Sequence, residues 1–194
     1  MVITVAVQIA YELSRLPPVE YLKLSNQPWQ GGVLNMDKVI ERYRELLPPT
    51  FEHLDRDFAV GVLTRDGSYK VVDSGPLPEA VVASAAIPYL FEHVSVPGIG
   101  QCMDGGKFDR VGLSGWQERT KIKGKDAKAA TLVHLIARSS PFSGKEAVRN
   151  SNDVVVVRSP KSGVSLTSLG DFDKHYTSAC ERATSGIAQS IKRI

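Results

Sequence analysis

The sequence predicts a single layered α/β domain in which a mixed sheet is flanked by helices. Two observations carry this: short runs rich in β-branched residues alternate with segments whose apolar residues recur at helical spacing, and 194 residues with 42% hydrophobic content suffice for one sizeable core. No internal repeat or low-complexity tract interrupts the pattern.

The elements follow in order. Val2 to Leu16 reads equally as a strand from Val2-Ile3-Thr4-Val5 or as a helix through Ala10, Leu13 and Leu16, and Pro17-Pro18 stops either. Trp29 and Gly31-Gly32 mark a loop. Met36 to Leu47 is a helix: Val39, Ile40, Tyr43, Leu46 and Leu47 share one face, Asn35 can cap its start, and Pro48-Pro49 closes it. Phe58 to Thr64 and Tyr69 to Asp73 are strands of a hairpin turned by Arg65-Asp66-Gly67-Ser68. After the break at Gly75-Pro76, Pro78 sits in the first turn of a short helix that Pro88 ends. Gln101-Cys102-Met103 forms a strand into Asp104, while Leu132 to Ala137 and Val154 to Val157 are strands buried on both faces. A last helix from about Asp173 places Tyr176, Ala179, Cys180, Ala183, Ile187 and Ile191 on one stripe.

Charge and composition narrow the partners. The 24 Lys and Arg against 21 Asp and Glu give a net +3, too small an imbalance to argue for nucleic acid. Cys102 and Cys180 read as reduced, buried thiols, and His53, His93, His134 and His175 are too scattered for a metal site. The start of the chain lacks the basic region of a signal peptide, and no run approaches the roughly 20 apolar residues that span a bilayer. The expected location is the cytoplasm or the periphery of an intracellular membrane, with lipid contact confined to an interface. Arg119, Lys121, Lys123, Lys125 and Lys128 beside Trp116 suggest a solvated loop, with anionic head groups as the alternative partner. His134 reads as a core histidine, and His93 has no assigned task.

The segment with the most chemical content runs from Ala83-Ser84-Ala85-Ala86-Ile87-Pro88-Tyr89-Leu90-Phe91 to Met103-Asp104-Gly105-Gly106. Asp-Gly alone is the usual sign of a tight turn. Its flanks add more, and they resemble the segment of patatin-like phospholipases and related lipid acyl hydrolases that ends in a catalytic aspartate. Val72-Asp73-Ser74-Gly75, Leu34 to Glu41 and the closing Leu169-Gly170-Asp171-Phe172-Asp173 are similar to that family in order and spacing.

The resemblance implies a three-layer, α/β-hydrolase-resembling domain in which Asp104 is the general base of a Ser-Asp dyad and Gly105 and Gly106 shape the turn behind it. The implied reaction is hydrolysis of an ester bond in a phospholipid, galactolipid or acylglycerol, without metal or cofactor. Such a reaction needs a base because a serine hydroxyl is a weak nucleophile at neutral pH. A carboxylate in a partly desolvated pocket can serve.

Two departures stand out. Where the family continues its Asp-Gly-Gly with Asp-Asn-x-Pro, Asp109 matches, but Arg110 and Gly112 replace the asparagine and proline. The family's Gly-x-Ser-x-Gly turn and its glycine-rich oxyanion loop do not occur in the 194 residues. Ser114, Ser165 and Ser168 have glycine on one side only, and the elbow requires small residues on both. No nucleophile is therefore assigned. The expectation is an amino-terminally truncated patatin-like domain, with residues 34–194 as its carboxy-terminal part and residues 1–33 unassigned. An incomplete reading frame would explain it, and the chain alone should not turn over. A non-catalytic module that binds lipid or a partner is the alternative.

Overall fold

The hairpin expected around Asp66-Gly67 forms the middle of the fold. In the computed structural model, residues 11, 22–26, 28, 31–124, 131–136, 154–159 and 171–191 are described. Strands β3 (Val60–Thr64) and β4 (Tyr69–Val72) pair antiparallel, Val60 opposite Val72 and Leu63 opposite Tyr69. Gly67 turns the chain in the left-handed region, and the Thr64 N–H donates to the Ser68 carbonyl at 2.9 Å.

Strand β7 (Gly100–Asp104) lies on the other side of β3, and β6 (Val94–Val96) completes the order β4-β3-β7-β6. Every pairing in this sheet is antiparallel, and for β3 with β4 and β6 with β7 the connections are too short for a parallel crossover. The apolar face of the sheet is covered by helix α2 (Leu77–Ala83), and helix α1 (Asp37–Leu46) packs against α2 and adds Val39 to the same core. Val62, Val72, Leu77, Ala80, Val82, Val94, Val96 and Cys102 make the centre of this core. Leu77 is fully buried, worth roughly 1.5–3 kcal/mol of burial.

Helix α2 is enclosed on nearly all sides, which puts Glu79 in the interior as well. Arg44 of α1 answers it, with Nη2 at 2.6 Å and Nε at 2.8 Å from the same carboxylate oxygen. Asn35 acts just outside α1, accepting the Asp37 N–H at 2.7 Å.

The remaining strands lie in two further sheets. Strands β1 (Lys23–Leu24), β2 (Gly32–Asn35) and β5 (Tyr89–Phe91) form a mixed sheet in the order β1-β2-β5, so Gly32 is the first residue of a strand and not part of a loop. Strands β8 (Thr131–Ile136) and β9 (Val154–Ser159) pair parallel, and α4 (Phe172–Ile191) packs on β9. The α/β class is thus observed, with the described strands divided among three sheets.

Several expectations change. Strand β8 alternates, with Val133 and Leu135 buried and Leu132 and His134 exposed, so His134 is no core residue. Cys102 is buried but Cys180 is exposed, as is Tyr176. Among the described side chains of the α4 stripe, Ala179 and Ala183 are half-buried, and the side chains of Ile187 and Ile191 lie outside the described ones. The basic run is not a loop over its first part: Leu113–Ile122 is helix α3, opened by a left-handed Gly112 and followed by a left-handed Gly124. Val2 to Ala10, Leu13, Leu16, Trp29, Lys125, Lys128, Ser165 and Ser168 lie outside the described residues.

Candidate active site

Asp104 is the last residue of β7, opposite Val62 of β3. Its backbone N–H donates to the carbonyl of Ala86 at 2.9 Å, just past the end of α2. The two quoted segments, distant in sequence, are therefore in direct contact. One carboxylate oxygen accepts the Gly106 N–H at 2.7 Å and caps a 3-10 turn over Gly105–Lys107. The side chain is half-buried, and its other oxygen has no hydrogen bond among the described residues.

Gly105 is dictated by close approach. A Cβ there would lie 2.5 Å from the backbone carbon and oxygen of Gly61, so any larger residue would push the turn away from β3.

Asp104 and Gly106 line an open cleft of about 740 Å³, within the range typical of small-molecule sites. Tyr69 of β4, Trp116 of α3, and Leu132 and His134 of β8 stand around it, mixing apolar area with polar groups. Burial first, and then the negative charge of Asp109, push the Tyr69 phenol above its ordinary pKa. His134 and Tyr69 are the cleft groups that the sequence reading missed. The alternation apolar, histidine, apolar in β8 was the available signal for His134.

Asp109 holds the turn where the resemblance breaks down. Its Oδ1 accepts the Val111 and Gly112 N–H groups, each at 2.9 Å, and its Oδ2 accepts the Ser114 hydroxyl at 3.2 Å. This carboxylate does locally what an asparagine side chain could have done. Ser114 is exposed in the first turn of α3 and serves that turn.

Helix α3 forms the cleft wall through a charged anchor. Arg119 is buried, with its Nε 2.6 Å from Asp73 Oδ2 and its Nη2 3.4 Å from Asp57 Oδ1. Its guanidinium carbon sits 4.6 Å from the centre of the Trp116 ring, and Lys123 Nζ is 2.5 Å from the same Asp73 oxygen. Burial raises the Asp73 carboxyl, but hydrogen bonds from Lys123 and Arg119 together outweigh it and hold the pKa below the ordinary value. Arg119 and Lys123 are thus structural cations.

Tyr89 opens β5 beside Gly31, and its exposed ring lies under Lys107, whose Nζ is 5.4 Å from the ring centre. Tyr89 has φ +70°, and its N–H donates to the Gly31 carbonyl at 3.1 Å. A bulky residue in the left-handed region costs roughly 1–2 kcal/mol.

Among the described residues, no group of three or more His, Cys, Asp or Glu is placed to hold a metal ion. No helix among them is long and apolar enough to cross a membrane. No protein-family profile, curated protein or solved structure matches the chain.

Proposed function

We propose that residues 34–194 form the aspartate-bearing part of a patatin-like lipid acyl hydrolase domain, with the cleft beside Asp104 as its lipid-ester site. The observation that carries this reading is the setting of Asp104. It ends a strand, contacts the Ala86 segment through its backbone, is half-buried, and lines a cleft whose walls mix apolar and polar groups, with one oxygen that accepts no hydrogen bond among the described residues.

In that chemistry a carboxylate accepts the proton of a serine hydroxyl as its oxygen attacks the ester carbonyl carbon. The C–O bond to the leaving alcohol breaks, and the alcohol takes the proton. Water then cleaves the acyl-serine by the reverse proton path. Asp104 supplies the base, and Gly105 and Gly106 keep backbone bulk away from the reacting ester. The serine and its oxyanion donors must come from a Gly-x-Ser-x-Gly elbow, which this sequence lacks. The 194 residues alone therefore bind the ester without cleaving it.

The test pairs binding with turnover. Purified chain is titrated with a long-chain phospholipid, and fatty-acid release is followed in the same samples. Saturable binding without release supports the reading. Release sensitive to a serine-directed phosphonate would contradict the predicted inactivity, and no binding at any concentration would remove the lipid-ester site.

A further inference from the structure

Gly61 lies inside β3, where a glycine weakens the strand unless another group needs its space. Here that group is a phenol. A Cβ at Gly61 would lie 2.5 Å from Tyr69 Oη and 3.0 Å from Tyr69 Cε2. Tyr69 is paired with Leu63, so its ring leans from β4 to the diagonal neighbour two residues along β3 and covers that glycine. Phe108 stacks on the ring with centres 5.3 Å apart. A Cβ at Gly115 would be 3.6 Å from Tyr69 Cε1, and one at Gly112 would be 3.6 Å from the hydroxyl. Three glycines and one aromatic ring thus fix where Tyr69 Oη stands.

The ring has a packing role, but the hydroxyl has none. A phenylalanine would cover Gly61 and stack on Phe108 equally well. A tyrosine hydroxyl inside a fold ordinarily finds a hydrogen-bond partner, yet Tyr69 Oη makes no hydrogen bond among the described residues. None of their polar side-chain atoms is both buried and without a partner, so the hydroxyl reaches open space. Gly61 and Gly112, which flank it, line the Asp104 cleft together with Tyr69. The phenol pKa is raised, first by burial and then by the Asp109 charge, so at neutral pH the group is an O–H donor. Asp109 itself is turned to the Val111, Gly112 and Ser114 donors of its own loop. Its negative charge favours a neutral acceptor at the Tyr69 hydroxyl over a phosphate oxygen.

We propose that Tyr69 Oη is a substrate-binding donor that holds the carbonyl oxygen of an ester in the Asp104 cleft and makes the site selective for esters over ethers. The donor is placed before the ligand arrives, so little ordering is lost on binding. The inference rests on the lipid-ester reading and adds to it the group that recognises the ester.

The experiment measures binding of a short-chain diester phosphatidylcholine and of its diether analogue, both as monomers, to the unsubstituted chain and to Tyr69→Phe. The diester should bind the unsubstituted chain about five- to tenfold more tightly than the diether, as expected for one hydrogen bond. Tyr69→Phe should remove that difference by weakening the diester alone, and its urea midpoint should match that of the unsubstituted chain because the ring contacts persist. A diester carrying carbon-13 at the carbonyl gives a second readout: its bound carbonyl stretch should lie at lower frequency in the unsubstituted chain than in Tyr69→Phe. Diester affinity and carbonyl frequency that ignore Tyr69→Phe overturn the proposal and leave the lipid-ester site standing. Equal weakening of diester and diether also overturns it, since the hydroxyl would then act through packing. If neither lipid binds the unsubstituted chain, the lipid-ester site falls and the role of Tyr69 falls with it.

Discussion

The Asp104 N–H and the Ala86 carbonyl are 2.9 Å apart, joining the residues after α2 to the end of β7. This bond makes the Ala83 to Phe91 segment and the Asp-Gly-Gly turn one unit. It fixes Asp104 through backbone, so side chains there can change without moving the aspartate far.

The Asp104 carboxylate therefore separates two effects. Asp104→Asn retains an acceptor for the Gly106 N–H and should change stability by less than about 0.5 kcal/mol, whereas Asp104→Ala loses that bond and should cost about 1 kcal/mol. Urea denaturation of both variants checks this. A large loss in the asparagine variant would mean that the charge itself holds the turn.

Gly105→Ala should be more damaging than either. Its Cβ would fall 2.5 Å from the Gly61 backbone, and backbone has little room to yield. A loss of about 1–3 kcal/mol is expected, typical of overpacking. A melting temperature equal to the unsubstituted protein would show that the turn does not press on β3.

The α3 anchor should be sensitive to acid. The folded Asp73 pKa is lowered, so its contribution is fully present above the unfolded value near pH 4 and is lost as pH falls through the folded value. Asp73→Asn should flatten the stability profile below about pH 4. At neutral pH, Arg119→Met should cost on the order of 1–2 kcal/mol, less than a fully buried pair because Lys123 still meets Asp73. Chemical denaturation between pH 2.5 and 7 reads both effects. An unchanged slope in Asp73→Asn would contradict the assignment.

Tyr89→Gly should stabilise the chain by roughly 0.5–1 kcal/mol, because the left-handed strain removed exceeds the extra chain entropy of glycine. Its melting temperature should rise. A fall would mean that the phenol packs usefully in the fold despite its exposure.

Proline and glycine made much of the central architecture legible. Pro48-Pro49 closes α1, Asp66-Gly67 turns the hairpin, and Pro78 opens α2, each by a local backbone constraint independent of distant contacts. Asp104 at a strand end was legible for the same reason. Helix α3 was not, because its lysines and arginine hide a face defined by Trp116, Arg119 and Lys123 at helical spacing. The partners of that face, Asp73 and Asp57, come from elsewhere in the chain. Gly112 and Gly124 bracketing α3 were its local signal. Strands β1, β2, β5 and β6 are two to four residues long, too short for any periodicity to register.

The most direct test of the proposed lipid-ester cleft uses Trp116, which lines it together with Asp104. With Trp29→Phe leaving Trp116 as the single tryptophan, the chain is titrated with a phospholipid brominated along its acyl chain, below the concentration at which the lipid aggregates. The account predicts saturable quenching of Trp116 that is reversed by the unbrominated lipid and weakened by Leu132→Asp in the cleft wall. Fluorescence that stays constant while the lipid binds elsewhere would contradict it.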